Sequence, residues 1–127
     1  MPKILIADDD PLIRLLLKET LSCFADRGVI LLTVNDGIDA LETIKREEPD
    51  LVILDVMMPG MNGFEVCNTV KKKLSMQHVY IIVLSAKGQE LDKQKASQYG
   101  ADFYITKPFS IDEVIKKTCE VLGMQLK

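Results

Sequence analysis

Leu51-Val52-Ile53-Leu54-Asp55 decides how this chain folds: four apolar residues, opened by Pro49-Asp50, carry an acid into the loop Val56-Met57-Met58-Pro59-Gly60-Met61-Asn62-Gly63. A run this short and this apolar reads as a strand buried on both faces, the pattern of a central strand in a parallel sheet. Asp55 then stands at the strand's carboxyl end. In an open α/β sheet that edge is where ligands and chemistry collect.

Outward from this stretch, apolar runs recur at Lys3 to Ala7, Val29 to Val34, Val79 to Leu84 and Ala101 to Thr106. Helical patterns fall between them. Asp8-Asp9-Asp10-Pro11 suits a helix start, and Leu12, Leu15, Leu16, Glu19 and Phe24 lie near helical spacing, which predicts a first helix from about Pro11 to about Phe24. Ile38, Leu41 and Ile44 mark one face of a second helix that must stop before Pro49. Phe64, Val66, Cys67, Val70 and Leu74 mark a third, whose Lys71-Lys72-Lys73 run reads as a solvated carboxyl-terminal end. Gln89 to Tyr99 is mostly polar and the weakest helical pattern, and Ile111 to Leu122 places Val114, Ile115 and Leu122 on a buried side. Five strands alternating with five helices over short connections predict one domain across residues 1–127, a parallel sheet with helices on both faces.

Composition narrows the function. With 16 Lys and Arg against 19 Asp and Glu the net charge is -3, so nothing electrostatic favours nucleic acid as a direct partner. Cys23, Cys67 and Cys119 are scattered, with no C-x-x-C, and read as buried free thiols of a reducing compartment. His78, the only histidine, reads as a surface loop residue, which disfavours a structural zinc. The first residues are too short a run for a signal peptide and nothing approaches a membrane span, so a cytoplasmic protein is expected.

The chemistry lies at the strand ends. Asp8 and Asp9 follow the first apolar run, Asp55 the third, Ser85 the fourth and Lys107 the fifth, and a parallel sheet brings those ends to one edge. Singly, each has a plain structural role as helix cap, turn residue or solvated charge. Together they describe a site. Converging carboxylates repel and call for a cation. Oxygen donors suit Mg²⁺, whereas zinc would draw on His and Cys. Acid, metal, lysine and hydroxyl suit a phosphoryl group held on Asp55 as carboxylate nucleophile.

Four motifs carry a resemblance: Ile4-Leu5-Ile6-Ala7-Asp8-Asp9-Asp10-Pro11, Leu51 to Gly63, Leu84-Ser85-Ala86, and Gly100-Ala101-Asp102-Phe103-Tyr104-Ile105-Thr106-Lys107-Pro108-Phe109. In this order they resemble the receiver domains of two-component response regulators, chemotaxis regulators among them. The resemblance implies a flavodoxin-like, doubly wound sheet of order 2-1-3-4-5. It implies Asp55 as phosphoacceptor, Asp8 and Asp9 as Mg²⁺ ligands, and the backbone carbonyl of Met57 completing the metal site. It also implies Ser85 and Tyr104 as switch residues, Lys107 as the family's lysine, and Met57 and Lys87 as the positions that tune phosphoryl lifetime. The phosphodonor would be a sensor histidine kinase or histidine phosphotransfer protein, and the output a protein partner or an effector domain outside these residues. Such a domain is a self-acting phosphoacceptor, not a turnover enzyme. Phe103 departs from the acid usual in regulators that dimerise through their last strand and last two helices, so a monomer or a weak phosphorylation-dependent dimer is expected, with Phe103 an exposed aromatic. Two rivals remain. Asp8-x-Asp10 resembles the nucleophile motif of haloacid-dehalogenase-type phosphohydrolases, although Leu12 stands where Thr or Val belongs. The other is a pseudo-receiver scaffold that is never phosphorylated.

Overall fold

The computed structural model describes residues 1–86 and 90–126. Strands β1 (Lys3–Ala7), β2 (Ile30–Val34), β3 (Leu51–Asp55), β4 (Tyr80–Ala86) and β5 (Phe103–Lys107) form one parallel sheet in the order β2-β1-β3-β4-β5, the doubly wound order expected. Every residue of β3 is buried, as a central strand covered on both faces requires. Helices α1 (Pro11–Thr20) and α2 (Ser22–Ala25) cover one face together with the last helix, α6 (Ile111–Leu122). The other face is covered by α3 (Gly37–Glu47), α4 (Gly63–Asn68) and α5 (Glu90–Gln98). Among the described residues no helix is long and apolar enough to cross a membrane.

The first helix corrects its sequence pattern twice. It stops at Thr20, Leu21 leaves helical geometry at φ -95° and ψ 4°, and a separate turn, α2, carries Phe24. Not all of the spaced residues share its buried face: Leu17, Leu21 and Phe24 are fully buried, whereas Leu12, Leu15 and Leu16 are 73%, 53% and 42% exposed. Apolar side chains surround most of this helix, so spacing alone does not choose a face. The stripe that wins, Ile13, Leu17, Leu21 and Phe24, is the one that stays in register through the break. Ile38, expected on the buried face of α3, is likewise exposed, while Ile44 is buried.

The third helix changes character midway. After α4 it runs on as a π-helix, Thr69–Lys73, whose wider turn shifts the buried register by one residue. Val70 and Lys71 go inside and Leu74 comes out to the surface. The lysine run is therefore not a uniformly solvated end. Lys71 is 3% exposed and pairs with Asp102 at 2.7 Å, and Lys72 donates to the Gln98 carbonyl. Other expectations are adjusted more lightly. Cys67 is a buried thiol, but Cys23 and Cys119 are only partly buried. Phe103 is half-buried, with the Lys117 ammonium 4.2 Å from its ring centre, and so is no exposed aromatic. His78 is exposed as expected, 3.0 Å from Glu48.

Candidate functional site

Side chains alternate across a strand, and that parity assembles the site. Ile4 and Ile6, Leu51 and Ile53, and Phe103 and Ile105 all pack on the face covered by α1, α2 and α6. Two residues further along each strand direction come Asp8, Asp55 and Lys107, which therefore emerge on that same face at the carboxyl edge. Asp8 is 1% exposed and Asp55 4%, while Asp9 lies open to solvent. One oxygen from each of the three carboxylates falls within 4.8 Å of the others.

Lys107 Nζ donates to Asp55 Oδ1 at 2.8 Å and lies 3.3 Å from Asp8 Oδ2. The second contact is electrostatic only: Asp8 Oδ2 is buried without a hydrogen-bond partner. The other Asp8 oxygen accepts from the Asp10 amide at 2.9 Å, and Arg14 Nη1 donates to the Asp8 carbonyl at 2.7 Å. Arg14 is a member of this cluster that strand-end reasoning misses, because it lies inside α1; its signal is a cation one turn beyond the acid run. Asp10 caps α1 by accepting from the Leu12 amide at 2.9 Å.

The floor beneath Asp55 is backbone. A Cβ on Gly63 would stand 2.3 Å from the Asp55 carbonyl oxygen, so only glycine lets the start of α4 pass this close. Asn62 and Glu65 lock that start with a reciprocal capping box, both bonds at 2.9 Å.

Burial pushes the Asp55 carboxyl up from its ordinary 3.8 to about 6; the hydrogen bond and charge of Lys107 pull it down, and the charges of Asp8 and Asp9 push it further up. Burial works to lower the Lys107 pKa, but the hydrogen bond to Asp55 and the charges of Asp55 and Asp8 outweigh it and leave it raised. Three carboxylates against one ammonium, with one buried oxygen unmatched, fit a hard divalent cation bound through oxygen.

Ser85 is 1% exposed, one residue past Leu84, which lies beside Asp55 in register. It follows Ile81 and Val83 in the alternation, so it starts from the opposite face to Asp55, the face that Tyr104 also packs against. Ser85 pairs with Thr106, and Tyr104 with Val83, which sets the two switch candidates on neighbouring strands with the same parity. Met57, directly past Asp55's neighbour Val56, has a 74% exposed side chain. Lys87 lies outside the described residues.

A parallel sheet with an acid triad and a lysine at its carboxyl edge defines a doubly wound α/β domain with an acidic site at its strand ends. The chain belongs to the response regulator receiver domain family, whose pattern matches residues 4–118. Its fold is similar to that of a response regulator from Chloroflexus aurantiacus, at 29% identity over 97% of this chain and 99% of that one, with a TM-score of 0.85. Similar too are the chemotaxis response regulator CheY4 of Vibrio cholerae (31% identity, 95% and 98% covered, TM-score 0.82) and a BeF3-activated DrrB receiver domain (29%, 97% and 98%, 0.83). Receiver domains act in two-component signalling with kinases and effector domains, bind Mg²⁺ at an acidic site, and as a family are not turnover enzymes.

Proposed function

We propose that these 127 residues form a single cytoplasmic receiver domain in which Asp55 accepts a phosphoryl group from a phosphohistidine of a sensor kinase or phosphotransfer protein. The observation that carries this reading is Lys107 held between Asp55 and Asp8, at 2.8 and 3.3 Å, with an acid excess left to be neutralised. Above about pH 6 the Asp55 carboxylate is mainly ionised and so a nucleophile. An Asp55 oxygen forms a bond to phosphorus as the phosphorus–nitrogen bond to the donor histidine breaks, and the imidazole leaves with the electron pair. Asp8, Asp9, Asp55 and the Met57 backbone carbonyl would hold Mg²⁺, which supplies charge neutralisation at the phosphoryl oxygens. Lys107 already touches the accepting carboxylate and is placed to follow the new negative charge. The Ser85 hydroxyl donates to a phosphoryl oxygen, and Tyr104 moves toward the space it leaves, altering the surface around β5 that an output partner reads.

The phosphohydrolase rival is disfavoured because the Asp10 carboxylate caps α1 at 2.9 Å instead of facing a substrate. Incubation with acetyl phosphate and Mg²⁺ is expected to add one phosphoryl group by intact mass, and none in Asp55→Asn. Equal incorporation in that variant would refute the assignment.

A further inference from the structure

Beyond the α4 start that floors Asp55, α4 with its π-helical extension and α5 line an open groove of about 370 Å³ that shares no residue with the acid triad. Its size falls in the range of small-molecule pockets. The two walls are chemically alike. Lys73 from the π-helix and Lys95 from α5 both line the groove, and among the described residues neither ammonium has an ion-pair partner. Tyr99 is half-buried and offers part of its ring to the groove, and the buried Phe64 backs it with ring centroids 5.9 Å apart, tilted at 43°. Asn68 adds an amide with no hydrogen bond of its own among the described residues. The groove's one acid, Glu65, has an oxygen committed to the Asn62 amide at 2.9 Å, and the Thr69 hydroxyl donates to the Glu65 carbonyl at 2.8 Å.

The π-helix explains why a lysine reaches this wall. In the run Lys71-Lys72-Lys73, the shifted register sends Lys71 inward to Asp102, ties Lys72 to the Gln98 carbonyl at the end of α5, and leaves Lys73 on the groove. Two lysines lining one groove beside the Tyr99 ring select against a cation and against a purely apolar body. Charge-assisted contacts to an anion and a ring packed against Tyr99 satisfy both features at once.

We propose that this groove is a binding site for a small organic anion carrying an aromatic ring, an aryl sulfonate, phosphate or carboxylate. The test is amide chemical-shift mapping on the whole ¹⁵N-labelled chain with 1-naphthalenesulfonate, its uncharged counterpart 1-naphthalenemethanol, and inorganic sulfate. The sulfonate is expected to shift the Phe64 to Lys73 and Lys95 to Tyr99 amides, and to bind about tenfold or more weakly to Lys73→Gln/Lys95→Gln. Both lysines are exposed, so the variant keeps its fold, which its unchanged amide spectrum elsewhere verifies. The neutral alcohol and the bare sulfate are each expected to bind more weakly than the sulfonate. The proposal is overturned if shifts map instead to the exposed leucines of α1, if the double variant binds the sulfonate as tightly as wild type, or if either partial probe matches it.

Discussion

Two lysine–aspartate pairs sit at opposite ends of the same sheet, and their contrast separates structure from function. At the amino end, Lys71 meets Asp102 at 2.7 Å; Asp102 Oδ2 also accepts from the Ile81 amide at 2.8 Å, and Lys71 reaches the Gln77 carbonyl at 3.4 Å. One cation faces one anion, and further hydrogen bonds satisfy both. At the carboxyl end, Lys107 meets Asp55 at 2.8 Å, but three acids crowd one lysine and Asp8 Oδ2 is left unmatched. The balanced pair holds β5 to the π-helix. The unbalanced one leaves negative charge uncompensated, which the proposed cation and phosphoryl chemistry would use.

The largest effect expected from breaking this contrast is on the balanced side. Lys71→Met keeps the apolar stem but leaves Asp102 without its cation. Urea unfolding should show a loss of about 2–3 kcal/mol, below the full cost of breaking a buried pair because Asp102 is partly in solvent. Removing charge at the other end should have the opposite sign. In the absence of divalent metal at neutral pH, Asp55→Asn should stabilise the fold by about 2 kcal/mol: a carboxyl raised by about two pH units costs about 3 kcal/mol when ionised, and the buried Asn amide, a weaker acceptor for Lys107, gives part of that back. The pH dependence follows. The folded chain holds the Asp55 proton more tightly than the unfolded chain, with a pKa of about 6 against 3.8, so wild-type stability from this group falls as pH rises from about 4 through 6. The advantage of Asp55→Asn in chelator should therefore vanish below about pH 4; an advantage constant from pH 4 to 8 would contradict the assignment.

Much of this contrast was legible in the sequence, and the reason is periodicity. Two-residue alternation in short apolar strands projects Asp8, Asp55 and Lys107 from known faces, and parallel order puts them at one edge. What escaped lacks a usable period. The first helix has apolar residues nearly all round, so its spacing shows a helix but not which face is buried, and Leu12, Leu15 and Leu16 turn out exposed. Nothing in Thr69-Val70-Lys71-Lys72-Lys73 announces a π-helix, and a lysine run with no carboxylate nearby in sequence gives no sign that Asp102, 31 positions on, balances Lys71.

Smaller effects sharpen the functional end. A beryllofluoride complex, standing in for the phosphoryl group, is expected to move the Ser85 hydroxyl toward the fluorides and the Tyr104 ring inward; both side chains unmoved in the complex would exclude the coupling. Lifetime should respond least. Met57 offers only a weak thioether acceptor, and a lysine such as Lys87 has donors but no acceptor, so neither orients a hydrolytic water and self-dephosphorylation should be slow. Met57→Asn/Lys87→Glu is expected to speed phosphate loss roughly tenfold, short of the full effect of a positioned general base. An unchanged decay rate would remove these two positions from control of the lifetime.

The most direct measurement of the central claim is where the phosphoryl group goes. Borohydride reduction of the acetyl phosphate-treated protein converts an aspartyl phosphate to homoserine, which tandem mass spectrometry locates by position. Homoserine at position 55 alone, formed only with Mg²⁺, is the predicted result. Homoserine at position 8, 9 or 10, or none anywhere in the chain, would contradict it.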